Sequence, residues 1–514
     1  MNLLWIDDEI GMLRPHILFL EGKGYQVDTA TNGQDALDCC RTTDYDAVFL
    51  DEHMPGMSGL ETLSRIKELR PTLPVVMITK SEEENIMNMA IGQKIADYLI
   101  KPVNPSQIWL SLKKILHRND LVNEAAQTAY RQDFGKIGMR IDDSLTAADW
   151  MELYRRLVYW ELELEETHSP MSEMLAMQKQ EANTAFGKFV KRNYTDWMAT
   201  TEREGRPLFS PDIFKQTLFP LLDRGERVFF IVLDNFRYDQ WRMLASDLSD
   251  RFNIDEQLYF SILPTTTQYA RNALFSGLMP DRIATLFPDL WVDEEADEYK
   301  NLNEAPLIRT LLERHQRNDT FTYHKINDTA AAERLLAQLP GLTGNALTVA
   351  VFNFIDILSH SRTENKTLRE LIATEAAYRS ITLSWFRHSP LRELLNTLAG
   401  ERWRVIITTD HGSIRVNHPV KVQSNSRDIN ANLRYKLSRN ISYNPKQVFE
   451  VTHPAHAHLP APNVSSRYVF ATGSDFFAYH SDYNRYVNHY TDTFQHGGIS
   501  MEEMMIPLIS LTSK

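Results

Sequence analysis

Residues 227–239 read RVFFIVLDNFRYD. After Arg227 the stretch is continuously apolar to Leu233, the pattern of a central parallel strand buried on both faces, and it ends on an acid, Asp234. The same punctuation recurs downstream. Leu347–Ile355 leads into Asp356 and, four residues on, His360; Arg404–Thr408 leads into Asp410-His411-Gly412. A strand ahead of Pro264-Thr265-Thr266-Thr267 gives way to a helix that begins after Thr267 and closes at Gly277. Finally, Gln495-His496-Gly497-Gly498 precedes the apolar MMIPLISL. Apolar runs that end in chemistry-bearing side chains predict an α/β domain over 206–514, with its functional groups gathered outside the carboxyl ends of the strands.

The side chains at those ends suit one kind of chemistry. Carboxylates mixed with imidazoles bind Zn²⁺, or Mn²⁺ where metal supply favours it. Two such cations a few ångströms apart clamp a phosphoryl group, activate a hydroxyl nucleophile and steady the leaving oxygen. If the turn at Asp356 is helical, Asp356 and His360 face one side and share an ion. A hydroxyl at a helix N-terminus, such as Thr267, lies near backbone N–H groups that favour phosphate.

The segments VLDNFRYD, PTTTQYARNALFSG, NFIDILSH, TTDHGS and HGGISMEEMMIP, in that order, resemble the alkaline phosphatase superfamily and, more narrowly, its PglZ branch. The resemblance implies one metal on Asp356, His360 and His496, a second on Asp234, Asp410 and His411, and Thr267 as the nucleophile bridging them. Thr267 is chosen over Thr265 and Thr266 because it stands ten residues before Gly277, as in the superfamily's Pro-Thr-x-Thr…Thr-Gly pattern. The branch also favours phosphodiesters, cyclic or linear oligonucleotides among them, over monoesters.

Residues 1–118 carry a different pattern. Five short apolar strands, Asn2–Ile6, Gln26–Thr29, Ala47–Leu50, Val75–Ile78 and Ala96–Leu99, alternate with helix-period segments and predict a (βα)5 parallel sheet. Asp7-Asp8, Asp51, Thr79 and Lys101-Pro102 then emerge side by side at its carboxyl edge. Three carboxylates in one crevice repel unless a cation joins them, and all-oxygen ligation suits Mg²⁺. With the ion and Lys101 each neutralising a phosphoryl oxygen, one carboxylate can attack phosphorus and Thr79 can hydrogen-bond the acyl phosphate. The arrangement resembles the receiver domain of two-component response regulators. That resemblance implies Asp51 as phosphoacceptor and Mg²⁺ on Asp8, Asp51 and the carbonyl of His53, with Asp7 acting through water. It also implies Thr79 and Tyr98 as the switch pair and Lys101 as the phosphate-holding lysine.

Residues 119–205 are rich in helix formers. Trp150, Leu153, Leu157 and Trp160 recur at helical spacing, and a second helical pattern runs from Met171 to Trp197 after Ser169-Pro170, so a helical-bundle linker is expected. No basic cluster suited to a DNA groove appears there. The net charge of −13 likewise argues against a general nucleic-acid coat. Cys39 and Cys40 are adjacent and make an improbable disulfide. No signal-peptide pattern opens the chain and no apolar stretch reaches membrane-span length, so a cytoplasmic protein without membrane insertion is expected. His453, His456 and His458 read as surface loop residues. Arg434–Lys436 reads equally as a phosphate contact or a solvated basic segment. Arg237 and Asp239 are expected to pair, and Arg271 and Asn272 to reach a substrate oxygen.

Taken together, receiver, helical linker and PglZ-type domain resemble response regulators of the PorX type. The resemblance implies a sensor histidine kinase and a sigma factor as partners and a place in type IX secretion control; receiver behaviour implies homodimerisation on phosphorylation, and the lack of a basic recognition element leads us to expect no direct DNA binding. The residues support a narrower expectation: Asp51 phosphorylation gates the assembly or activity of a two-metal phosphoesterase. The competing expectation is a zinc-stabilised docking module that grips a sigma factor or kinase without hydrolysis.

Overall fold

A computed structural model describes residues 1–80, 95–116, 118–142, 144–166, 171–200, 205–292, 301–401, 403–424 and 432–514. The Ser169-Pro170 break lies outside them. The chain forms two compact units, one over Met1–Ala129 and one comprising Tyr130–Glu166 together with the described residues from 171 to Lys514.

In the first unit, β1 (Asn2–Ile6), β2 (Gln26–Ala30), β3 (Ala47–Asp51), β4 (Val75–Thr79) and β5 (Asp97–Ile100) form a parallel sheet in the order β2-β1-β3-β4-β5. β3 and β4 are buried throughout, as central strands covered on both faces must be. The order reverses beside β1, and such a switch opens a crevice outside the carboxyl ends of β1 and β3. Helix Gly59–Leu69, packed below it, starts on a capping box between Ser58 and Glu61.

The second unit is built on a six-stranded sheet. β6 (Val228–Leu233), β8 (Phe321–Ile326), β9 (Leu347–Phe352) and β10 (Arg404–Thr408) run parallel in the order β8-β9-β6-β10, and β6 and β9 are buried at every residue. The C-terminal strand Met505–Ser513 joins β10 antiparallel, and β7 (Phe252–Phe260) closes the far edge antiparallel to it. This mixture brings five segments to one edge: the exits of β6, β7, β9 and β10, and the entry to the C-terminal strand.

The helical character expected of 119–205 is observed in Arg118–Arg140, Ala147–Glu166 and Ser172–Ala199. Trp150, Leu153 and Leu157 are fully buried, and from Tyr130 onward the apolar residues belong to the same core as the large sheet. The rings of Phe186 and Trp197 each lie 5.9 Å from Phe260 at the end of β7. Among the described residues no helix is long and apolar enough to cross a membrane.

Candidate metal centres

Each loop at the edge of the large sheet is shaped by contacts its own residues make. Asn235 adopts a left-handed turn, φ 62°, directly after Asp234, a conformation Asn tolerates better than most residues. Its amide reaches Asp356 Oδ1 at 3.3 Å and Ser359 Oγ at 3.1 Å. The backbone N–H of Phe236 donates to Thr409 Oγ1 at 3.0 Å, tying the β6 loop to the β10 loop. Gly412 passes so close to the Glu502 carbonyl that a Cβ would stand 2.1 Å from it, so only glycine fits after His411. Thr265 Oγ1 donates to the Gly498 carbonyl at 2.9 Å and accepts from the Gly497 N–H at 3.0 Å, fastening the turn after His496 onto the threonine loop.

Two trios result: Asp356, His360 and His496 in one, Asp234, Asp410 and His411 in the other, with one ligand atom from each residue within 4.8 Å of its trio partners. The second trio is buried, whereas the side chain of His360 is 62% exposed, which leaves the first open to solvent. The His411 and His496 rings stack with centroids 4.2 Å apart, so the trios adjoin. His411 Nδ1 lies 3.1 Å from the Gly412 carbonyl and His496 Nδ1 lies 3.2 Å from the Thr265 carbonyl. With those nitrogens donating, both Nε2 lone pairs face the carboxylates, the arrangement a metal-binding imidazole needs.

The three threonines part company here. Thr265 is spent on the glycine turn, and Thr266 is buried as the cap of the following helical turn. Thr267 Oγ1 donates to Asp234 Oδ1 at 3.4 Å and lies 3.2 Å from His411 Nε2.

Charge sets the character of the pocket. Burial raises the Asp234 carboxyl well above its ordinary range; Arg271 opposes this, and the neighbouring Asp410 and Asp356 add to it. For Asp410 burial again pushes upward, but Arg271 and His411 outweigh it and the carboxyl is lowered. His496 is held well below the usual imidazole range by burial and by the nearby His411 and His360. Clustered acids beside an imidazole that resists protonation fit a bound divalent cation.

Sequence reasoning misplaced Arg271 and Arg434. The Arg271 side chain is 1% exposed. It pairs with Asp234, with Asp410 at 3.0 Å and with the buried Glu304 at 3.1 Å, so it neutralises these carboxylates. Asn272, expected to reach substrate with it, is 2% exposed. Arg434 and Lys436 are fully buried, not solvated. Arg434 binds Glu503 at 2.6 Å, and Glu503 accepts the Gly498 N–H at 2.9 Å, so this pair supports the turn after His496. Arg237 pairs with Asp239 as expected, Nε to Oδ1 at 3.0 Å. His453 and His456 are exposed, and His458 binds Asp281 at 3.0 Å. Glu304 and Glu503 carried no sequence signal, because an acid in a helix gives no hint of a partner more than 30 residues away.

At the receiver edge, Asp7, Asp8 and Asp51 offer oxygens within 4.8 Å of one another. Lys101, followed by a cis Pro102, sets its Nζ 2.9 Å from Asp7 Oδ2 and 2.8 Å from Asp51 Oδ1. Burial pushes the Asp51 carboxyl up, Lys101 opposes it, and Asp7 and Asp8 reinforce it. Thr79 donates to Glu52, and Tyr98 shares a hydrogen bond with Thr79. The His53 side chain points outward, 67% exposed.

Fold and sites together define a receiver joined to an alkaline phosphatase-like domain. Comparison with protein families agrees. Residues 213–511 match the BREX system PglZ alkaline phosphatase-like domain, 120–198 the PorX response regulator linker domain, and 3–113 the response regulator receiver domain. The chain belongs to the PglZ family, in the PorX-type arrangement of receiver, linker and PglZ domain. It is similar to the transcriptional regulatory protein ResD of Bacillus subtilis (strain 168), 34% identical over 129 residues, 25% of this chain and 51% of ResD. ZraR of Klebsiella oxytoca is 32% identical over 138 residues, 27% of this chain and 31% of ZraR. The chain thus spans about half of one relative and a third of the other. A solved CheY-like receiver from Methanospirillum hungatei JF-1 is 26% identical, with a TM-score of 0.22, covering 23% of this chain and 94% of that one.

One partly buried acid of the linker, Glu161, gives a pH prediction. Burial raises the Glu161 carboxyl, but Lys179 and Arg379 dominate and hold it at about 2, against an ordinary 4.5. A depressed folded-state value stabilises the fold above pH 4.5, and that contribution is lost as pH falls towards 2. Glu161→Gln should therefore flatten the fall in stability over this window, checked by acid-unfolding midpoints followed by circular dichroism.

Proposed function

We propose that this chain is a two-component response regulator in which phosphorylation of Asp51 controls a two-metal phosphodiesterase, most simply a two-zinc enzyme with linear or cyclic oligonucleotides as substrates. One observation carries the reading: of three adjacent threonine hydroxyls, Thr267 alone lies in the ligand shell, 3.4 Å from Asp234 Oδ1 and 3.2 Å from His411 Nε2. Asp356, His360 and His496 would hold one ion, and Asp234, Asp410 and His411 the other. Bound there, the ions would supply charge neutralisation for the phosphoryl oxygens and acidify the Thr267 hydroxyl.

The chain's own residues do the rest. Thr267 Oγ1 gives up its proton to solvent, attacks phosphorus in line and forms a phosphothreonine that keeps one ester group, while the other alcohol leaves on taking a proton from solvent; water then cleaves the new P–O bond, releasing the monoester and restoring the hydroxyl. Asn235 orients Asp356, and Arg271 pairs with both Asp234 and Asp410 and offsets part of their charge. The open side at His360 suits an elongated substrate.

In the receiver, Asp51 accepts a phosphoryl group from a histidine kinase and Lys101 holds it, while Asp7, Asp8, Asp51 and the His53 carbonyl take Mg²⁺. Phosphorylation draws Thr79 and Tyr98 inward and favours a homodimer through the face carrying Tyr98; the neighbouring residues 81–94 lie outside the described ones. A sigma factor as partner and a role in type IX secretion belong to the same reading.

The test is metal content by elemental analysis, paired with a panel of phosphomonoesters, diesters and cyclic dinucleotides. About two zinc ions per chain and diester cleavage are expected. The double substitution Asp356→Asn with His360→Ala should lose one ion and the activity. Wild-type protein free of divalent metal and inert on every substrate would overturn the reading.

A further inference from the structure

Behind the ligands lies a set of buried charges that the reaction itself does not use. Arg237 stands three residues after Asp234, its side chain 2% exposed. Its Nε donates to Asp239 Oδ1 at 3.0 Å and its Nη2 to Glu375 at 2.6 Å. Its Nη1 donates to the carbonyl of Ser413, two residues past His411, at 3.3 Å. The guanidinium also sits 5.5 Å from the ring of Phe494, two residues before His496. One cation thus touches the segments that carry Asp234, His411 and His496.

Its partner is shared. Asp239 Oδ2 also accepts from Arg379 at 2.9 Å, and Arg379, 2% exposed, belongs to helix Glu375–His388. Arg379 is held in turn by Glu161 at 2.9 Å and by Glu165, both on helix Ala147–Glu166 of the linker. A second route leaves the next linker helix. Lys179 pairs with Glu161 at 2.6 Å and with Glu502 at 3.4 Å, and Asn183 donates to Glu502 at 2.9 Å. The N–H of Met501 returns a bond to Asn183 Oδ1 at 2.8 Å, just past the turn that carries His496.

We infer that the linker helices are part of the active-site framework: Glu161 and Glu165, acting through Arg379 and Asp239, hold Arg237 as the positioning residue for three ligand segments. The inference rests on the proposed metal site and adds where its regulation enters. A buried charge that loses its partner must find another or shift. Any displacement of helix Ala147–Glu166 therefore changes the partners of Arg379 and Asp239, and with them the seat of Arg237. Residues supporting metal ligands from behind commonly govern affinity by tenfold or more. Since residues 147–166 follow the receiver in the chain, a phosphorylation signal has a covalently continuous entry to the metal site.

The experiment uses the full-length chain with Arg379→Met, Glu165→Gln and, as a control, Arg206→Met. The control breaks a part-buried pair, Arg206 to Asp212 at 2.8 Å, that touches none of the ligand segments. Two quantities are read: Zn²⁺ affinity against a chromophoric chelator, and hydrogen exchange of residues 234–240 and 409–413. Arg379→Met is expected to weaken Zn²⁺ binding roughly tenfold or more and to speed exchange in both segments. Glu165→Gln should move both in the same direction by less, and Arg206→Met neither. A folded Arg379→Met protein with wild-type affinity and exchange overturns the inference. If that variant does not fold, Glu165→Gln decides: unchanged values overturn it. Should the wild type bind no Zn²⁺, the proposed function falls and the exchange readout alone judges the framework.

Discussion

Thr267→Ala is expected to reduce phosphodiester cleavage by roughly 10³-fold or more, the scale seen when a covalent nucleophile is removed. The metal content should stay at the wild-type level. The two outcomes belong together because each trio keeps its own carboxylates and imidazoles when Thr267, placed by the loop after β7, is lost. Its loss removes the attacking oxygen and leaves the carboxylates and imidazoles in place. The check is kcat for a chromogenic diester alongside elemental analysis of the same sample. A variant at the wild-type rate would refute the nucleophile assignment, and Thr265→Ala serves as the contrast. Thr265 fastens the glycine turn through bonds of 2.9 Å and 3.0 Å, so its loss should loosen metal binding instead of removing the chemical step.

The second large effect lies in the receiver. Asp51→Asn should abolish phosphoryl incorporation from acetyl phosphate, where the wild type gains one phosphoryl group by intact mass. Asp51 is 4% exposed, and its Oδ1 lies 2.8 Å from Lys101 Nζ, which places it to attack an incoming phosphorus whose oxygens the ammonium neutralises. Asp7 shares the same lysine at 2.9 Å and is the natural alternative acceptor. Undiminished labelling of the variant would move the assignment there. Under the proposed function the Asp51→Asn protein also loses any response of hydrolysis and of oligomeric mass to acetyl phosphate, measured by light scattering.

Much of this architecture is legible from local pattern. A run such as VFFIVL has no exposed face and so belongs in the middle of a sheet, and strands that end on Asp, Thr or Asp-His, with one more that begins after His496, place chemistry at one edge. The spacing of Asp356 and His360 needed only a helical turn, which Phe354–Glu364 supplies. The receiver was equally open to reading, because its strands are short, alternate with helices and end on the acids themselves.

Side chains whose meaning depends on distant partners were not legible. Arg271 reads as a substrate contact because it follows the nucleophile. In the fold the helical turn buries it against Asp234, Asp410 and Glu304, and a guanidinium in such company is a counter-ion. Arg434 and Lys436 read as a solvated segment for the same reason: composition records the charge but not Glu503 or the Tyr479 ring that receives it.

By itself, then, the sequence determined the order of the domains, the strands and the residues at their ends, since these follow from hydrophobic period and from motif. The tertiary structure alone decided that one candidate trio is open and the other buried, that Thr265 is spent on the glycine turn, and which charges hold the loops. Those outcomes turn on packing across hundreds of residues, where burial makes an unpaired charge so costly that its partner is chosen by the fold as a whole.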